Sequence, residues 1–152
     1  MIERIKDFIG KLSRNGFSQN EAEKSQQMLV ATCALLLEMA AADGEFSAAE
    51  KALILRLLRD EYGLSDAHVD LLVQSANQKL EESIDLWRFT NLINQHAKPE
   101  EKMQIIEMIW RIAFTDGRLD EHEDYLVHKL AMLLRLTHQE LIQAKLRVVP
   151  PK

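Results

Sequence analysis

A single cysteine in 152 residues, Cys33, rules out any disulfide framework within the chain and points to a reduced, cytoplasmic setting. The thiol itself is expected to be a small buried hydrophobe inside "MLVATCALLLEMAAAD". There is no long Lys/Arg block, and 19 basic against 24 acidic side chains leave a net charge of -5. Nucleic acid is therefore excluded as a general partner, because its polyanionic backbone needs a basic surface. Proteins, cations and small molecules remain. No apolar run is long enough to span a bilayer, since the longest, Met28 to Ala42, is short and interrupted by Thr32 and Glu38. No secretory signal is written at the start either, where Glu3 and Asp7 break the segment and no uninterrupted apolar stretch follows.

Glycine is scarce and β-branched runs are absent, which removes sheet architectures. What is present instead is apolar residues at three- and four-residue spacing along almost the whole chain. The pattern predicts an all-α, compact bundle of seven to eight helices, near 2–13, 19–42, 48–61, 66–80, 84–96, 99–115, 121–135 and 138–147. Helix starts carry capping side chains. Ser18, Ser47, Asp120 and Thr137 each precede a Glu by three residues, Ser65 and Ser83 offer weaker caps, and Pro99 suits a first helical turn. "VVPPK" is a tail. One domain is expected, with 1–18 as an amphipathic helix and loop and 19–148 as the helical body. In the first segment Ile2, Ile5, Phe8, Ile9 and Leu12 form one stripe, and docking on the chain's own body is preferred to rest on a membrane surface.

An internal repeat crosses this order. Asp43, Gly44 and Glu50 recur as Asp116, Gly117 and Glu123 at a constant offset, and Leu36, Met39, Ala40, Ile54 and Leu57 recur as Ile109, Ile112, Ala113, Val127 and Leu130. After one deleted residue, Leu64-Ser65 matches Leu136-Thr137. The copies, near 26–80 and 99–147, each read helix, Asp-Gly turn, helix, short turn, helix. A pseudo-two-fold relation between them would decide whether the two Asp-Glu pairs converge.

All four acids open or close apolar faces. Asp43 follows Leu36, Met39 and Ala40 at helical spacing, and Glu50 leads Ile54 and Leu57. A carboxylate beside a core is desolvated and needs compensation. For Glu50 and Glu123 a capping box supplies it. For Asp43 and Asp116 the bland reading is a turn dipeptide, and the sharper one is a hard cation held between Asp and Glu. The second copy adds Asp120, so the candidate ligands are Asp43, Glu50, Asp116, Asp120 and Glu123, with oxygen donors suited to Ca²⁺, Mg²⁺ or Mn²⁺. From 116 to 124 only Arg118 offsets five acids. The spacing is not that of an EF-hand, because the Gly follows the Asp immediately.

With "AAADGEFSAAE" and "AFTDGRLDEHE" set in apolar helix hairpins, the chain resembles the tellurite-resistance TerB-like family over roughly Gln26 to Arg147. The resemblance implies a compact all-α bacterial domain, non-catalytic, proposed to chelate metal through these acids and to serve membrane-linked stress responses. What carries over is Asp43, Gly44 and Glu50, then Asp116, Gly117 and Glu123.

The leading expectation is a cation-responsive interaction or scaffolding module with a protein partner, cytoplasmic and peripheral to the inner membrane. A second is a metal-independent interaction bundle, homodimeric in one form, for which Trp87 is the best interface candidate although burial is its commoner fate. Phe89 and Trp110 are further interface candidates, of which Trp110, beside the Asp116 stripe, is assigned to the core. A carboxylate-metal enzyme comes last, since Glu-x-x-His pairs, His-Glu-x-x-His and Gly-x-Ser-x-Gly are all missing. His122 is expected in solvent, His128 beside the core stripe, and His68, His96 and His138 without ligand-spaced partners.

Overall fold

The computed structural model describes residues 19–42, 48–83, 85–115 and 121–148. The helix expected over 2–13, and the caps at Ser18, Ser47 and Asp120, lie outside them. Among the described residues there are seven α-helices and no strand: α1 Gln19–Ala40, α2 Ala48–Tyr62, α3 Asp66–Glu82, α4 Trp87–His96, α5 Pro99–Ala113, α6 Glu121–Leu133 and α7 His138–Val148.

Two of these helices form the centre. From Ala31 to Ala40 only Glu38 of α1 is not buried, and α1 packs on α2, α3, α4, α5 and α6. A helix apolar nearly all round has to sit inside its domain, and this one does. Its polar interruption Thr32 is satisfied locally, donating to the Met28 carbonyl at 2.8 Å. Burial pushes the Cys33 thiol up to about 12, so the cysteine is inert packing. The second centre is α5, whose Ile105, Ile106, Met108, Ile109, Trp110, Ile112 and Ala113 are all buried.

Contacts between the two copies are reciprocal. Helix α1 meets α5, its own equivalent; α1 also meets α6, and α5 meets α2, which is the same contact with the copies exchanged. Such reciprocity is the mark of an isologous interface, here a pseudo-two-fold within one chain. The α2–α5 side is reinforced by Glu61, which accepts from Gln104 Nε2 at 2.6 Å and lies 3.6 Å from Arg111. Helix α4 links the copies, and Asn94 Nδ2 of that helix donates to the Leu133 carbonyl of α6 at 2.8 Å.

The repeat extends to backbone detail. Helix α2 closes with Gly63 at φ 63° and α6 closes with Arg135 at φ 61°. At each the following amide folds back, Leu64 to the Arg59 carbonyl at 3.2 Å and Leu136 to the Ala131 carbonyl at 2.9 Å, as in a Schellman C-cap. The next residue then caps the next helix: Ser65 accepts from the His68 amide at 3.3 Å, and Thr137 from the Glu140 amide at 3.1 Å. In the second case Glu140 returns a bond to the Thr137 amide at 2.9 Å, completing the expected capping box.

One copy thus uses glycine where the left-handed conformation demands it, and the other tolerates arginine. A Cβ at Gly63 would meet nothing within 4 Å, so its cost is conformational only. Gly63→Ala is expected to lower stability by about 1 kcal/mol and Arg135→Gly to raise it by a similar amount. Urea midpoints of the two variants check both signs.

Two features differ from the sequence pattern. Ser83 does not open a helix; its hydroxyl donates to the Lys79 carbonyl at 2.6 Å and its amide to Leu80, so it ends α3. Helix α4 begins at Trp87 instead, where the amide is held by Asp85 Oδ1 at 3.1 Å. Trp87, for which burial was the preferred expectation, is 59% exposed, whereas Phe89 two residues on is buried. The short helix has one inward face, and Phe89, Thr90 and Ile93 occupy it.

Candidate functional site

The approach to both Asp-Gly turns is built identically. Helix α1 stops at Ala40, after which the Ala41 amide reaches the Leu37 carbonyl at 3.1 Å and the Ala42 amide the Met39 carbonyl at 3.2 Å. Helix α5 stops at Ala113, with Phe114 bonded to Trp110 at 3.0 Å and Thr115 to Ile112 at 3.2 Å. Both helices therefore tighten into a final three-residue turn one residue before the Asp. The expected helix ends at 42 and 115 are too long by two residues. Asp43, Asp116 and Asp120 themselves lie outside the described residues.

On the far side of each turn stands a Glu. Glu50 is half-buried in the first turn of α2. Glu123 occupies the equivalent place in α6 at 7% exposure, and it is the sole charged residue among the buried described ones. Neither carboxylate lacks an interaction. The apolar residues they lead, Ile54 and Leu57 in one copy and Val127 and Leu130 in the other, are all buried. By comparison, Glu140, which completes the capping box at Thr137, is only half-buried. Glu123 is thus held more deeply than that cap. Among the described residues no group of three or more His, Cys, Asp or Glu side chains is gathered for a metal.

Around the turn after α1 the surface is hollowed on two sides. A cleft of about 540 Å³ runs from Glu38 and Ala42 past Asp85 to His122, Tyr125 and Lys129 of α6. A second, of about 370 Å³, lies between α2 and α3 and shares Glu38, Ala41 and Leu80 with the first. Glu38, five residues before Asp43, faces both clefts. Its signal in the sequence was its position as the one charge in the α1 apolar run.

The histidines fall partly as expected. His122 is exposed at the start of α6. His128 is also exposed, with its ring edge-on to buried Trp110 at 6.4 Å and its Nδ1 2.8 Å from the Asp124 carbonyl. His138, for which spacing gave no partner, lies 6.2 Å from His128 across the α6–α7 turn. Sequence spacing missed this pair because a tight turn, and not a shared helix, brings it together.

A family model described as "Tellurite resistance protein TerB" matches residues 29–146. The chain belongs to the TerB family. The matched span takes in both Asp-Gly turns and all seven helices in whole or part, in agreement with the resemblance carried by the two motifs. Among curated proteins no match was found. Among solved structures, a protein of unknown function from Porphyromonas gingivalis W83 is similar at 24% identity, with a TM-score of 0.63 over 81% of this chain and 94% of that one. That likeness shows the fold. As a TerB-family member the chain is a tellurite-resistance-related helical domain, and no described helix is long and apolar enough to cross a membrane.

Proposed function

We propose that this TerB-family chain is a non-catalytic binding module in which a divalent cation, held at the Asp-Gly turns, sets the surface offered to a protein partner. The observation that supports this reading most is Glu123, a carboxylate buried at the head of α6 within the acidic segment 116–124, with Glu50 at the equivalent place in the other copy. The candidate donors are all carboxylates, the chemistry that Ca²⁺, Mg²⁺ and Mn²⁺ prefer. Asp43 and Glu50 would hold one ion, and Asp116, Asp120 and Glu123 the other. The ion would supply charge neutralisation where two helices meet, and so fix the angle between α1 and α2, or between α5 and α6.

The test is thermal unfolding of EDTA-treated protein with each of Ca²⁺, Mg²⁺ and Mn²⁺ added back. An ion at a hundred times its Kd is expected to stabilise the native state by about 2.7 kcal/mol. In Glu50→Gln/Glu123→Gln that gain should disappear. No shift with any ion, and a variant that is merely less stable, would leave a metal-independent interaction domain in its place.

A further inference from the structure

Between α1, α3 and α4 lies a groove of about 340 Å³. Val30, Ala31, Phe89 and Leu92 give it apolar surface, and Lys79 of α3 and Arg88 of α4 contribute the cations. Three other arginines are paired, Arg59 with Asp66, Arg111 with Glu61 and Arg147 with Glu107. Lys79 and Arg88 have no acidic partner among the described residues. In a chain of net charge -5, a groove lined by two cations and no acid is a local reversal of sign.

We propose that this groove binds an amphipathic helix of a partner protein whose apolar stripe is flanked by Asp or Glu. The apolar residues accept the stripe, and Lys79 and Arg88 meet the acidic flanks. The chain's own segment 2–12 has the wrong sign for this role, because its three cations, Arg4, Lys6 and Lys11, outnumber its two acids, Glu3 and Asp7. Like charges facing each other across an interface select against a partner as firmly as opposite ones select for it. The proposal deepens the protein-binding half of the function proposed above and rests on it, while needing nothing from the cation half.

The experiment is fluorescence anisotropy of the full chain in EDTA with a labelled helical peptide of roughly 16 residues, long enough to hold a helix. One version carries a leucine stripe flanked by glutamates, and its twin carries lysines in their place. The glutamate peptide is expected to bind, with the lysine twin weaker by about tenfold or more. Lys79→Glu/Arg88→Glu should reverse that order, and Lys51→Glu/Lys129→Glu, at the two clefts that share Glu38, should leave it unchanged. Equal affinity for both peptides, an order unmoved by the reversal, or no binding at millimolar protein would overturn the proposal. So would a large gain in peptide affinity in Ile5→Asp/Phe8→Asp, which would make the N-terminal segment the occupant. Self-association competed by the peptide would do the same in favour of a second copy. Loss of peptide binding with the cation-induced thermal shift intact removes the groove alone. Selective peptide binding without any thermal shift removes the cation alone.

Discussion

Trp110→Ala is expected to lower the unfolding free energy by about 3–5 kcal/mol, a fifth or more of what a domain of this kind ordinarily has. The side chain is fully buried in α5 and is the largest in the core. It packs 5.8 Å from the Phe114 ring, and the Lys145 ammonium of α7 lies 5.3 Å from its centre. Its indole N–H donates to the Leu141 carbonyl at 3.1 Å, so the residue ties α5 to α7 by packing and by a buried hydrogen bond together. Trp110→Phe separates the two. It keeps most of the apolar volume and loses the donor, for an expected cost of about 1–2 kcal/mol. Urea unfolding followed by far-ultraviolet circular dichroism measures both variants. Equal losses would mean that the hydrogen bond, and not the volume, is what joins the helices.

Leu36→Ala and Ile109→Ala, at equivalent places in the two copies, are each expected to cost about 2–5 kcal/mol. Both side chains are fully buried, and both belong to one continuous core that includes residues of all seven helices. Because α1 and α5 pack on each other, the copies cannot open separately without exposing that core. The far-ultraviolet signal reports every helix, while tryptophan fluorescence reports Trp110 in the second copy and Trp87 in the linker. The two midpoints should therefore coincide in both variants. In Leu36→Ala, a fluorescence midpoint that stayed at the wild-type value while the helical signal moved would show two independent units instead.

Much of this architecture is legible in the sequence because helices announce themselves locally. The three- and four-residue apolar spacing marks α1 and α5, and Thr137 with Glu140 marks α7 by a hydrogen-bond pattern confined to four residues. The repeat is legible too, down to the one-residue deletion that aligns Gly63 with Arg135. Less legible is anything set by which face turns inward. Trp87 and Phe89 are two residues apart with the same aromatic character, and only the packing of α4 on α1 and α6 sends one to solvent and the other to the core. Ser83 could cap either the helix before it or the one after, and the carbonyl of Lys79 decided it. For the candidate site, the sequence located Glu50 and Glu123 at helix starts but could not grade their burial, which depends on neighbours contributed by other helices. The groove walled by Lys79 and Arg88 left no trace in the sequence, since its walls come from three separate helices.

Two identical subunits meeting about a true axis must present identical turns, and dilution can part them. Two copies in one chain share a fixed stoichiometry and are free to diverge singly. They have done so in charge: residues 116–124 hold five acids against one arginine, whereas 43–51 hold three acids against one lysine. A cation drawn to both turns would load the second at a lower concentration than the first. A structure that is symmetric in its helices would then respond to rising cation in two separate steps.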